Sequence, residues 1–172
     1  DISFDAAPGE IIGVIGGTGS GKSTLVNLIP RFYDVTKGQV LVNGTDVRAQ
    51  SLSKLRGQIG VVPQKAVLFK GTLQENMRWG KADASDEEIY EALSIAQARD
   101  FVEAKGKGLK LFIEQGGKNL SGGQRQRLTI ARALVRRPEI LIMDDSASAL
   151  DFATDARLRK AIREETRDMT VF

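Results

Sequence analysis

Residues Gly16-Gly17-Thr18-Gly19-Ser20-Gly21-Lys22-Ser23 constrain this chain more than any other stretch. They fit the pattern G-x-x-x-x-G-K-[ST], with the apolar run Ile11–Ile15 before it and Thr24 and the helically spaced Leu25, Val26, Leu28 and Ile29 after it. Average residue usage produces that pattern by chance in a chain this long less than about once in a hundred. Glycines let the backbone wrap closely around phosphate oxygens, and loop N–H groups at a helix start point toward negative charge. Lys22 adds a full positive charge, and the Ser23 hydroxyl is a candidate ligand for Mg²⁺. A buried strand, a phosphate-binding loop and a helix in that order predict an α/β fold with a parallel sheet.

The rest of the pattern agrees with that fold class. Ile2–Ala6 alternates as a half-buried strand does, Gln39–Val42 reads as a strand ending at Asn43-Gly44, and Ile59–Val62 as one ending at Pro63-Gln64. From Thr72 to about Arg137 the period becomes helical. Ser85 with Glu88, and Ser121 with Gln124, form capping-box starts. Ile140–Met143 returns to a buried strand, and a charged amphipathic helix follows. The 172 residues are enough for one domain, expected as a core of about 1–64 and 138–172 with a helical insertion over about 72–137. The chain reads as a piece cut from a longer protein.

Composition excludes several classes. With no cysteine and no histidine, thiolate and imidazole metal sites are out. No apolar run reaches membrane-spanning length. A net charge of +3 is too small to argue for nucleic acid. The run Arg125, Arg127, Arg132, Arg136, Arg137 reads instead as a solvated helix face.

Ile140-Leu141-Ile142-Met143-Asp144-Asp145 is an apolar strand ending in two acids. Ligands of parallel sheets lie beyond the carboxyl ends of the strands. Asp144 is therefore expected to help hold Mg²⁺, and Asp145 to point at an attacking water. Gln64, just after another apolar strand, is expected to reach the Mg²⁺ or the water. Gly122 and Gly123 follow the cap residue Ser121. They are poor helix formers that the cap itself does not need, so they imply close approach of a second phosphate group.

Together these residues resemble the nucleotide-binding domains of ATP-binding cassette (ABC) transporters. Leu120-Ser121-Gly122-Gly123-Gln124 looks like that family's signature, Gly16–Ser23 its Walker A, Ile140–Asp144 its Walker B, Gln64 its Q-loop and Ser148-Ala149-Leu150-Asp151 its D-loop. The resemblance implies a head-to-tail dimer in which each ATP lies between one Walker A and the opposite signature. Ser121, Gly122, Gly123 and Gln124 would then touch the ATP of a second nucleotide-binding domain, and Asp151 would lie across the interface. The stretch Val61–Gln64 with Leu68–Asn76 looks like the exporter subclass, where this region meets the coupling helices of a transmembrane domain. That places the domain at the cytoplasmic face of the membrane.

The sequence departs from the family at two places. Efficient members carry Glu where Asp145 stands; a carboxylate set back by roughly 1 Å loses on the order of a hundredfold in rate. The site is thus expected to be slow, and the chain to resemble the degenerate-site half of a heterodimeric multidrug or lipid exporter. Ile113–Asn119 departs from the exporter cross-talk motif. The switch histidine would fall beyond Phe172 and the base-stacking aromatic before Asp1. A soluble ABC ATPase acting on nucleic acid or ribosomes is the alternative, disfavoured because the stretch from Gln64 to Ser121 lacks sustained heptads. A non-catalytic ATP-binding regulator is another.

Overall fold

The apolar runs Ile59–Val62 and Ile140–Met143 lie side by side as parallel strands, Ile59 opposite Ile140 and Val62 opposite Met143. The computed structural model in which they are seen describes residues 2–145 and 149–172. In chain order its elements are α1 (Lys22–Asn27), β1 (Leu41–Val42), β2 (Thr45–Asp46), α2 (Leu52–Gly57), β3 (Ile59–Val62), β4 (Gly71–Thr72), α3 (Leu73–Arg78), α4 (Asp86–Ile95), α5 (Arg99–Ala104), β5 (Phe112–Ile113), α6 (Gly122–Leu134), β6 (Ile140–Met143), α7 (Phe152–Glu165) and β7 (Thr170–Val171). Strand β7 joins the other side of β6, so the parallel sheet runs β3-β6-β7.

Alternation along these strands divides the core. Ile59 and Ile142 point to one face, where Val26, Val42, Val47 and Leu55 are buried with them. Val62 and Leu141 point to the other, into the larger cluster built from α3 to α7. Gly60 faces that larger cluster. A Cβ there would stand 3.0 Å from Pro138 and 3.2 Å from the Ala133 carbonyl, so glycine is what lets the end of α6 lie on the sheet.

Two expected strands are not formed. Ile2–Ala6 makes no ladder, and of Ile11–Ile15 only Ile11 bridges, to Val171. The bonds made are Ile12 N–H to Val171 O and Val171 N–H to Glu10 O. Ile15 is 98% exposed. Gln39–Val42 shortens to Leu41–Val42, paired with β2 across Asn43-Gly44, whose positive φ angles of 52° and 73° suit a two-residue hairpin turn.

The helical stretch is helical as expected, with both capping boxes present at Ser85–Glu88 and Ser121–Gln124. It also contains a third box, Thr72–Glu75, and the antiparallel pair β4·β5. The basic run on α6 and just past its end is not a plain solvated face. Arg125 donates to Leu120 O, Arg127 to Gln97 O, Arg132 to Val67 O and Arg136 to Gly57 O, while Arg137 pairs with Glu91.

Candidate active site

All the expected acidic and amide groups emerge at one edge of the parallel sheet. Asp144 follows β6 directly and Gln64 follows β3 by two residues. Because these strands are parallel and in register, both groups leave at the carboxyl ends, and Asp144 N–H donates to Val62 O at 3.1 Å. The segment carrying Ile11 runs parallel to β7, so the glycine loop that follows it opens on the same edge.

The loop is shaped by its glycines at three points. Gly19 and Gly21 hold φ of 78° and 89°, and a Cβ on Gly16 would stand 2.5 Å from Ser20 Oγ. Lys22 Nζ turns back over the loop and donates to Gly16 O at 2.7 Å and Gly17 O at 2.9 Å. Gly17, Thr18, Gly19, Ser20, Gly21, Ser23 and Thr24 are exposed. Among the described residues no acceptor takes the N–H groups of Gly19 and Gly21. The first turn of α1 adds further unpaired donors. The result is an exposed loop with free backbone donors and the cation of Lys22.

Ser23 Oγ donates to Asp144 Oδ1 at 2.8 Å across 121 residues of sequence. Gln64 Nε2 donates to Asp145 Oδ2 at 3.3 Å, linking the two other groups expected at the site. Among the described residues no three acidic side chains form a cation cage. A serine hydroxyl, a carboxylate and an amide oxygen suit Mg²⁺, which is commonly held by one or two carboxylates together with substrate phosphates. Asp145 takes the left-handed conformation, φ 47°, which Asp adopts more readily than most residues.

The glycines of the second motif open α6. Ser121 Oγ accepts from Gln124 N–H at 3.2 Å, and the Gln124 side chain accepts from Ser121 N–H at 3.0 Å. Gly122 is exposed, and among the described residues a Cβ added to it would meet only Arg125 Nη2, at 3.9 Å. A Cβ on Gly123 would stand 3.2 Å from Ala149 O, so this glycine brings the start of α6 against the segment leading to α7. Asp151 caps α7. Its carboxylate accepts from Thr154 N–H at 2.9 Å, and the bonds to Thr154 hold its pKa below the ordinary carboxylate value. Of the expected D-loop, Ser148 lies outside the described residues.

Several residues that hold this arrangement were named in the sequence without that role, Arg127 and Arg132 as part of a solvated face and Asn76 as the end of an exporter-like stretch. Asn76 is 1% exposed and binds Phe69 through both N–H and C=O. Arg132 reaches Val67 O, and Arg127 reaches Gln97 O and, at 3.4 Å, Gly123 O. The signal was available. Arg132 lies four residues after Leu128 and three before Val135, and Asn76 three after Leu73, so each polar residue falls on an apolar stripe.

Similarity to known proteins agrees with the geometry. The family model described as ABC transporter matches residues 1–148. An uncharacterized ABC transporter ATP-binding protein of Mycobacterium tuberculosis is 49% identical over 174 residues, covering 99% of this chain and 30% of the relative. The beta-(1→2)glucan export ATP-binding/permease protein NdvA of Brucella melitensis is 42% identical over 172 residues, covering 100% of this chain and 29% of its own. A bacterial Atm1-family ABC exporter with ATP bound superposes with a TM-score of 0.93 at 36% identity, over 99% of this chain and 30% of that one. The chain thus spans about a third of the length of the relatives it matches. It belongs to the ABC transporter family, as an ATP-binding domain of a kind that family uses as an ATPase.

Proposed function

We propose that this chain binds and hydrolyses ATP with Mg²⁺, and that it dimerises around ATP with a second such domain to drive export through a transmembrane domain. The observation that carries the reading is the 2.8 Å contact of Ser23 Oγ with Asp144, beside a loop folded over by Lys22. Residues 16–24 bind the phosphates. Ser23, Asp144 and Gln64 hold Mg²⁺, which when bound neutralises charge on the phosphate oxygens. Gln64 and Asp145 orient the water. As the water oxygen bonds to the terminal phosphorus, the bond to the bridging oxygen breaks and the water's proton passes to Asp145. Ser121, Gly122, Gly123 and Gln124 serve the partner domain's ATP, and Asp151 faces that partner. Residues of about 72–137 act as a helical subdomain on a core of about 1–64 and 138–172.

The exporter assignment has a surface to support it. Phe69 stacks on Trp79 with ring centroids 4.7 Å apart, and Trp79 is 69% exposed. Val67 and Phe112 are also exposed, and the stacked rings make an apolar patch that begins five residues after Gln64. In this reading the patch receives coupling helices of the membrane domain, and the chain works at the cytoplasmic face of the membrane. Among the described residues no helix is long and apolar enough to cross a membrane.

Asp145 makes the chain's own site slow and favours a heterodimer whose partner carries the usual Glu. The test is ATP turnover by the full-length transporter with the partner's site disabled, comparing Asp145 with Asp145→Glu. A rise of about a hundredfold is expected. An already fast rate that Glu does not improve would make Asp145 a fully working carboxylate and a homodimer the better reading. No turnover in either form would leave a nucleotide-binding regulator.

A further inference from the structure

Three consecutive carbonyls just after Gln64 are held by three different elements. Arg132 Nη2, on α6, donates to Val67 O at 2.8 Å. Gly116 N–H donates to Leu68 O at 3.2 Å. Asn76 Nδ2, on α3, donates to Phe69 O at 2.8 Å, and its Oδ1 accepts from Phe69 N–H at 2.9 Å. Leu68 is 1% exposed beneath them. On the other side of Gln64, β3 is fixed in the sheet as far as Val62. Between these anchors, no hydrogen bond among the described residues holds the backbone of Pro63, Lys65 or Ala66. The place of Gln64 is therefore set by where its two flanking anchors stand.

Of the three clamps, Arg132 alone comes from the helix that opens with Ser121–Gln124. It also packs on the loop it holds. Its guanidinium lies 5.6 Å from the Phe69 ring centroid, and burial lowers its pKa from the ordinary arginine value. Nη1 is buried without a hydrogen-bond partner among the described residues, a cost accepted against the ring face. The backbone at Arg132 cannot slide freely. A Cβ on Gly80, just past α3, would stand 2.1 Å from Arg132 O, so α6 and the end of α3 are already in closest contact there.

We propose that Arg132 is a positioning residue for hydrolysis, transmitting the setting of α6, and so of the Ser121–Gln124 turn at its start, to the loop that presents Gln64. The proposal rests on the hydrolytic reading above. It makes two phosphate-facing groups, one for each ATP of the dimer, move together through one side chain. Lysine cannot replace it fully, because an ammonium is a point charge without the planar fork that meets both a carbonyl and a ring face.

The experiment is a double-mutant cycle on ATP turnover by the full-length transporter in lipid nanodiscs, with the partner's site disabled. Arg132→Met, which keeps the stem and removes the donors, lowers kcat about tenfold, the size of one lost charge-assisted hydrogen bond, and leaves KM for ATP within about twofold. In a Gln64→Ala background the same substitution changes kcat less than about twofold, because its effect is already spent. Arg132→Lys recovers part of the rate and carries the same cycle if the Met variant does not fold. Losses that multiply in the double mutant, or a KM that rises as kcat falls, overturn the proposal and leave Arg132 a packing residue. Absence of turnover in the unaltered transporter defeats the hydrolytic reading first and the proposal with it.

Discussion

Gly122→Ala separates the fold's needs from the ligand's at a single atom. Among the described residues the added methyl meets only Arg125 Nη2, at 3.9 Å, an ordinary contact with the tip of a flexible side chain. No positive φ is lost, since Gly122 is absent from the left-handed residues. Alanine is the better helix former by up to about 1 kcal/mol in a helix interior, and by less in a first turn. Thermal unfolding should therefore be unchanged or slightly later. Turnover should behave otherwise. A methyl at an exposed helix start holds an approaching phosphate back by about 1 Å, and a misplacement of that size costs on the order of a hundredfold. The assay is phosphate release by the full-length transporter, read beside a melting curve of the same sample. A rate kept within about threefold would mean that nothing approaches this backbone, and the dimeric reading of the Ser121–Gln124 turn would fall.

Other outcomes follow from the same geometry. Ser23→Ala removes the hydroxyl beside Asp144 and should raise the Mg²⁺ concentration needed for half-maximal turnover about tenfold, measured by metal titration at fixed ATP. Asn76→Ala strips the partners from Phe69 N–H and Phe69 O and should cost about 3 kcal/mol in urea unfolding, against near zero if water replaces both bonds. Asp46 is held down to about 2 by its side-chain and backbone bonds to Arg48. The folded-state pKa is depressed, so this carboxylate's contribution is present above the ordinary Asp range and lost as pH falls toward 2. Asp46→Asn should accordingly lower stability at pH 7 and converge on the parent as pH falls toward 2, so its stability profile is flatter below about pH 4. A profile as steep as the parent's would show that the pair is screened out in solution.

What the sequence made legible was chemistry with a fixed spacing. The glycine loop, the strand ending in Asp144 and the Ser121–Gln124 box each depend on residues three to seven apart, and a local pattern can state such a requirement completely. Thr72–Glu75 obeys the same rule and could have been read the same way. The β4·β5 pair could not, because Gly71-Thr72 and Phe112-Ile113 are too short to show a period and lie forty residues apart. The strands expected at Ile2–Ala6 and Ile11–Ile15 fail for a related reason. Alternation reports a side chain's preference for a face, whereas a ladder needs a second backbone alongside, and among the described residues the bridge of Ile11 to Val171 is the pairing seen for these segments.

The arginines of α6 show where a charge pattern misleads. Read along the sequence, five cations in thirteen positions are a solvated surface. In the fold, α6 lies at the centre of the helical layer, and the segments around it end in carbonyls that no helix or ladder satisfies. Leu120 O precedes the helix, Gln97 O sits at a residue with φ 57°, Val67 O lies in the loop after Gln64 and Gly57 O closes α2. Each such carbonyl must find a donor, and a long side chain with five N–H groups can reach it without bringing its own backbone near. Lysine would give the same net charge and the same sequence pattern, but not the fork. Charge on a packed helix therefore has to be counted against the loop carbonyls within reach before it is assigned to solvent or to a nucleic acid. At Arg132 that count leads from a surface residue to one that holds the loop of Gln64.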